Sequence, residues 1–263
     1  MKRWWQHVWR TLGTGHCFAF LFVGGFILSL TALPMTRLLG KTPEEKQARA
    51  RRLLHHAFRF YLWQMQALGL MRLEIQGRER LAQAGGKLVI ANHPSLLDVV
   101  ILISLLPECD CVIKADLRRS LVRGVVAATG YTDNRDGDAL LTHCHASLSS
   151  GVPVVVFPEG TRSTPHAPLV FQRGAANIAV RCAADILPVI ITCDPPTLLK
   201  SEPWYRIPAE KPLFRVRVLP PIPARTHNPS AVSESLATRQ LNRRLLTLYT
   251  TELHLPGSND HHG

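Results

Sequence analysis

Along the first quarter of the chain, apolar and polar positions separate into long blocks. From Thr11 to Thr36 no formal charge occurs, and the centre runs Phe18-Ala19-Phe20-Leu21-Phe22-Val23, then Phe26-Ile27-Leu28-Ser29-Leu30. About 20 apolar residues cross a bilayer as a helix, so this block predicts a membrane segment. Trp4, Trp5 and Trp9 precede it beside Lys2, Arg3 and Arg10, residue types that anchor helices at the membrane interface. A cleavable signal peptide shares the basic start and apolar core, but no small-x-small cleavage site clearly follows, and a retained anchor is the expectation. A basic stretch with Lys46, Arg49, Arg51 and Arg52 comes next. Leu53 to Met71 is apolar again, with Arg59 its one full charge. It reads as a second membrane or interfacial helix, or as an ordinary core helix. Basic residues flank the first block on both sides, so the charge rule sets no orientation.

After Met71 the period changes. Short apolar runs at Leu73–Ile75, Leu88–Ala91, Cys111–Ile113, Val152–Phe157 and Ile186–Thr192 predict strands. Phe214, Val216 and Val218 alternate with Arg215 and Arg217, as a half-buried strand does. Longer stretches around Leu96–Leu106, Ala139–Ser149, Gly174–Ala183 and Ser233–Thr250 predict helices. Strands alternating with helices imply an α/β sheet with helices on its faces. Ligands bind such sheets beyond the carboxyl ends of the strands. The proline-rich stretch 194–223 is expected to be irregular, and the tail from Pro256 disordered. The chain therefore divides into N-terminal membrane helices (1–72), a globular α/β domain (73–255) and a tail (256–263).

Composition narrows the partners. The 263 residues are 46% hydrophobic, enough for one substantial core, and the formal net charge is +12. Such a balance calls for nucleic acid, an anionic membrane surface or a phosphorylated substrate. Lysines and arginines are scattered, without the aromatic-basic interleaving of an RNA-binding sheet, so no nucleic-acid partner is expected. The six cysteines make no CxxC pair and read as reduced, buried thiols of a cytosol-facing domain. His143 and His145 flank Cys144 without a second ligand cluster, so no metal site is expected.

Two segments carry chemistry, each leaving a buried strand. In Asn92-His93-Pro94-Ser95-Leu96-Leu97-Asp98, proline suits a first helical turn. A turn there can bring the His93 ring over Asp98. A carboxylate holding an imidazole tautomer makes a general base, here for a substrate hydroxyl. With twelve histidines in the chain, one such spacing is a weak signal; Asp98 alone could simply complement a helix dipole. The second segment is Phe157-Pro158-Glu159-Gly160-Thr161-Arg162-Ser163. Proline ends the strand, and Gly160 permits close ligand approach. Arg162 offers a planar fork for phosphate oxygens, with Thr161 and Ser163 as neutral donors. Glu159 either orients Arg162 or offsets its charge.

Asn92-His93-x4-Asp98, followed about sixty residues later by Phe157 to Ser163, resembles the 1-acylglycerol-3-phosphate acyltransferase family. This is the glycerolipid acyltransferase superfamily with the His-x4-Asp motif. The resemblance covers roughly residues 73 to 220. It implies a mixed sheet flanked by helices. His93 would be the general base and Asp98 its orienting partner; Glu159, Gly160, Thr161 and Arg162 would belong to the acceptor-binding turn. The family's intermediate block ends in a phosphate-binding arginine, and Arg135 in Gly130-Tyr131-Thr132-Asp133-Asn134-Arg135 is the matching position. Thr132 and Asp133 depart from the apolar residues usual there. Phe171-Gln172-Arg173-Gly174-Ala175 and Leu187-Pro188-Val189 fit later blocks. The implied reaction moves a fatty acyl group from acyl-coenzyme A or acyl carrier protein to lysophosphatidic acid, giving phosphatidic acid. It needs no bound cofactor and takes place at the cytoplasmic face of the inner (cytoplasmic) membrane. The alternatives are another lipid acceptor, such as a specialised or lyso-amino lipid, and a non-catalytic, membrane-tethered anion-binding protein.

Overall fold

The computed structural model describes residues 2–116, 123–164, 167–200, 202–227 and 233–255. The tail expected to be disordered, 256–263, lies outside the described residues. The N-terminal part forms α1 (Lys2–Leu30), α2 (Ala32–Leu39) and α3 (Pro43–Ala67). Among the described residues, Trp4–Leu30 is the one helix long and apolar enough to cross a membrane. Its outer face exposes Trp4, Trp5, Trp9, Phe22, Phe26 and Ile27, while Cys17 is fully buried and Phe18 and Leu21 pack on the core.

The second apolar block belongs to α3, one face of which packs into the core. Thr42 caps it by accepting the Glu45 N–H, Pro43 opens it, and Glu44 and Glu45 lie in the first turn, all favourable at a helix start. Ala50, Arg51, Leu54, His55, Tyr61, Leu62 and Met65 make its buried stripe, at the three-to-four-residue spacing of a one-sided helix. Phe60 and Trp63 on the other side stay exposed.

The sheet comprises β1 (Arg72–Gln76), β2 (Leu88–Ala91), β3 (Asp110–Ile113), β4 (Thr132–Asp133), β5 (Val154–Val156), β6 (Ile186–Asp194) and β7 (Leu213–Val218). Their order is β1-β7-β6-β2-β5-β3-β4. Among the described strands, only β6 and β7 pair antiparallel, so the sheet is mixed. β2 and β5 are buried along their whole length and read as unbroken runs of Val, Ile, Leu and Ala, as strands covered on both faces do. β7 alternates, and its outward Arg215 and Arg217 pair with Glu74 at 3.3 Å and Glu252 at 3.0 Å.

The remaining helices are α4 (Arg78–Ala82), α5 (Leu97–Leu105), α6 (Arg123–Thr129), α7 (Gly137–Ser149), α8 (Gly174–Arg181) and α9 (Glu234–His254). One face of the sheet packs on α3, α5 and the inner side of α1; the other packs on α7, α8 and α9. Only part of the stretch 194–223 is irregular, because β7 falls within it. β2 to β6 all run in one direction, so the segments after Ala91, Ile113, Asp133, Val156 and Asp194 open on the same edge. That edge carries the site.

Candidate active site

β2 delivers the first segment. The Asn92 amide continues the ladder as backbone would: its Nδ2 donates to the Ile191 carbonyl at 2.7 Å, and the Ile191 N–H donates to its Oδ1 at 2.7 Å. The chain then turns through Pro94 to Leu96 before α5 begins at Leu97, slightly later than the proline suggested. This turn folds His93 back over the helix. His93 Nδ1 lies 2.8 Å from Asp98 Oδ2, and the Ser95 N–H donates to the same oxygen at 2.6 Å. Asp98 has no exposure. Burial raises its pKa to about 6, against the opposing pull of its hydrogen bonds and of His93. Above that pH the ionised carboxylate keeps the proton on Nδ1 and leaves the Nε2 lone pair for a substrate. The Phe157 ring lies against the imidazole, with centroids 4.4 Å apart, and the His93 side chain keeps 15% exposure. Ser95 is fully buried, and its hydroxyl donates to the Thr197 carbonyl at 3.0 Å; it is a structural link.

β5 delivers the second segment. Gly160 adopts φ +65°, a left-handed state that glycine enters without steric cost, and its N–H closes the turn onto the Phe157 carbonyl at 3.0 Å. Glu159 is not aimed at Arg162. It accepts the His93 N–H at 2.8 Å and bonds Ser163, while the Ser163 N–H donates to the His93 carbonyl at 2.7 Å. The two motifs are therefore laced together through Glu159. Burial raises its pKa, partly offset by these hydrogen bonds. Arg162 Nη1 donates to the Leu198 carbonyl at 2.8 Å. Burial lowers the Arg162 pKa, and the nearby Asp98 charge opposes that shift.

Beside this centre lies a cavity of about 680 Å³. Glu159, Gly160 and Thr161 form one wall; Lys114, Asn134, Gln172, Arg173, Asn177 and Lys200 are among the others. His93 and Arg162 do not line it; Glu159 is the shared residue. Arg135 is not brought here. Its guanidinium is held by Asp133 through Nε at 3.1 Å and Nη2 at 3.0 Å, and it lines a separate hollow with Thr132, Asp136 and Ala139. The polar departure seen in the sequence is the physical reason, since Asp133 captures the arginine two residues on. Leu187 and Val189 lie buried in the middle of the sheet.

Sequence reasoning missed three features. Lys200 carries no motif signal. Asn92 stood within the motif without a role. The third is a buried polar cluster, in which Asp110 Oδ2 meets His143 Nε2 at 2.5 Å, Ser147 Oγ at 2.7 Å and Arg51 Nη2 at 3.4 Å. His143 is thus tied to a carboxylate. All six cysteines are free thiols, with Cys182 and Cys193 half-buried and the others buried.

The acyltransferase family matches residues 72–192. Human 1-acyl-sn-glycerol-3-phosphate acyltransferase alpha is 28% identical over 242 residues, spanning 88% of this chain and 80% of the human protein. A 1-acyl-sn-glycerol-3-phosphate acyltransferase of Helicobacter pylori is 33% identical over 115 residues, 41% of this chain and 48% of that one. Among solved structures, the 1-acyl-sn-glycerophosphate acyltransferase of Thermotoga maritima shares the fold, with a TM-score of 0.64 at 18% identity over 97% of this chain and 100% of that one.

Proposed function

We propose that this chain, whose residues 72–192 match the acyltransferase family, moves a fatty acyl group from a thioester to the free hydroxyl of 1-acylglycerol 3-phosphate, yielding phosphatidic acid. The observation that carries the reading is the His93–Asp98 pair, 2.8 Å apart at the carboxyl end of β2 and laced to the turn that follows β5.

Asp98 holds Nδ1, so Nε2 takes the proton of the acceptor hydroxyl as that oxygen attacks the thioester carbonyl. The tetrahedral intermediate collapses by breaking the carbon–sulfur bond. The imidazolium returns its proton to the leaving thiolate, and no covalent enzyme intermediate forms. A positioned base contributes about 10²–10⁴ in rate. The remaining N–H groups of Arg162, with Thr161 and the Gly160 turn, face the acceptor and fix its hydroxyl by positioning. The thiol leaves as coenzyme A or as acyl carrier protein, and the residues need no bound cofactor. α1 and the basic charge would hold the domain on an anionic leaflet, with the site at the cytoplasmic face of the membrane; six free thiols accord with that side. The capture of Arg135 by Asp133 favours a second reading, the same chemistry on another lipid acceptor.

The test uses the full chain in detergent beside His93→Ala. Each receives acyl-coenzyme A or acyl-carrier protein, with lysophosphatidic acid or a panel of other hydroxyl acceptors. Thiol release and lipid product are followed together. Phosphatidic acid from the wild type and none from His93→Ala is the expected result. Acylation of another acceptor alone would replace the substrate and keep the mechanism. Equal activity of the two proteins would remove His93 as the base.

A further inference from the structure

Lys200 stands on the connection from β6 to β7, whose described residues 195–200 and 202–212 cross the carboxyl edge of the sheet. This strap is stitched to the reaction centre. The Thr197 carbonyl accepts Ser95 Oγ at 3.0 Å, and the Leu198 carbonyl accepts the Leu96 N–H at 3.4 Å and Arg162 Nη1 at 2.8 Å. It is also stitched to α1. Trp204 stacks on Phe18 with ring centroids 5.7 Å apart, and Arg10 donates to the Ala209 carbonyl. Leu198 holds φ +55° with its side chain buried in the core. Non-glycine residues keep that backbone state only where their surroundings enforce it. The strap is therefore a placed element, and two residues beyond Leu198 it delivers Lys200 to the wall of the cavity at Gly160 and Thr161.

The cavity's charge is one-sided. Lys114, Arg173 and Lys200 line it, and among the described residues none of the three has a carboxylate partner. The only carboxylate among the lining residues, Glu159, is engaged by the His93 N–H and Ser163. α8 starts in the same wall at Gly174, and no side chain caps it, so its free N–H groups add positive potential. Three like charges around one hollow repel each other, and an anion with several oxygens relieves that repulsion. Two anionic groups reach this edge of the sheet in an acyl transfer, the acceptor's phosphate and the phosphates of a coenzyme A donor.

We propose that Lys200, with Arg173 facing it from the start of α8, clamps the phosphate of the acceptor. The clamp rests on the acyl-transfer reading above. The Gly160–Thr161 turn that walls the cavity also carries Glu159, which holds the His93 backbone, so a phosphate seated here keeps its glycerol hydroxyl on the His93 side. Arg162 contributes twice, by facing the acceptor and by holding the strap through Leu198.

The experiment compares wild type, Lys200→Ala, Lys200→Arg and Arg173→Ala as full chains in detergent, with KM measured separately for lysophosphatidic acid and for an acyl-coenzyme A. Lys200→Ala should raise the lysophosphatidic acid KM about tenfold to a hundredfold, the usual effect of losing a hydrogen bond to a charged group. Its kcat should stay within about threefold and its donor KM unchanged, with Arg173→Ala behaving alike. Lys200→Arg should recover most of the loss, since a guanidinium also serves phosphate oxygens. Lys200 is exposed, so the unfolding midpoint should match wild type. A rise confined to the donor KM would move the clamp to coenzyme A and overturn the proposal. An unchanged acceptor KM in an enzyme that makes phosphatidic acid would overturn the clamp alone. A wild type that makes no phosphatidic acid would overturn the clamp together with the reading it rests on.

Discussion

Asp98 has no solvent exposure, two hydrogen bonds on Oδ2 and a buried, unpartnered Oδ1. Burial sets its pKa at about 6, above the ~3.9 of a free aspartate. The proposed mechanism uses the ionised form, so kcat/KM should fall on an acid limb near pH 6, not near 4. Stability runs the other way. A group whose folded pKa is raised gives stability fully present below the unfolded value and lost as pH rises through the folded one. Between pH 6 and 4 activity should drop while this carboxyl adds stability; a pH–rate profile beside unfolding midpoints over the same range checks both. Asp98→Asn keeps the shape without the charge and should lower kcat by up to about 10⁴; single-turnover rates at pH 8 test it. Glu159→Gln retains an oxygen for the His93 N–H and should keep activity within about tenfold. Glu159→Ala leaves that N–H unpaired, costing about 1–3 kcal/mol, and should show as a lower midpoint and a larger loss of kcat. The sequence named both carboxylates. It misdirected Glu159, because the partner of a turn residue depends on which strand end lies opposite, and His93 is 66 positions away.

At the scale of elements, α3 and α9 hold the sheet in place through buried polar contacts that hydrophobic periodicity does not reveal. Arg51 of α3 donates to the Thr129 carbonyl at 2.9 Å and pairs with Asp110 at the start of β3. Removing it leaves a buried carboxylate without its cation, so Arg51→Ala should cost about 3–5 kcal/mol. Denaturant unfolding of the purified protein measures this, and an unshifted midpoint would mean that His143 and Ser147 suffice for Asp110. Tyr249 of α9 sends its hydroxyl to the Ile90 carbonyl at 2.5 Å and accepts the Val189 N–H at 3.3 Å. The strands of the central sheet were legible because β2, β5 and β6 are continuous apolar runs, the pattern of strands covered on both faces. α4, α6 and β4 were not. They have five, seven and two residues, too few for a period to show, and β4 exists only because Val112 and Ile113 pair with it.

For the whole molecule, α1 has two sides with different work. Its exposed aromatic face suits lipid, while its inner face is part of the domain. Gly13 sits against Leu70 and Gly15 against Trp204, where an added Cβ would meet side-chain atoms at 2.9 and 3.0 Å. Deleting residues 1–30 should therefore not release a well-behaved soluble enzyme. It uncovers the surface around Leu70 and loosens the strap that carries Lys200. The expected outcome is a lower unfolding midpoint and aggregation without detergent, read by thermal scans and size-exclusion profiles of the truncated and full chains. A monodisperse, fully active truncation would show that α1 is only a tether.

Local order along the chain was enough for the long apolar N-terminal helix, the α/β alternation, the His93–Asp98 contact and the turn at Gly160. Each rests on neighbours in sequence, where period, turn chemistry and spacing act directly. The tertiary structure alone decided that one face of α3 packs on the core, that Asn92 bridges β2 to β6, that Glu159 serves His93, that Asp133 draws Arg135 away, and that Lys200 lines one cavity with the Gly160 turn. Those outcomes depend on strand order and on segments joined across long separations, such as the 99 positions between Asn92 and Ile191. A parallel sheet brings such segments to one edge, and no local pattern records which of them will meet.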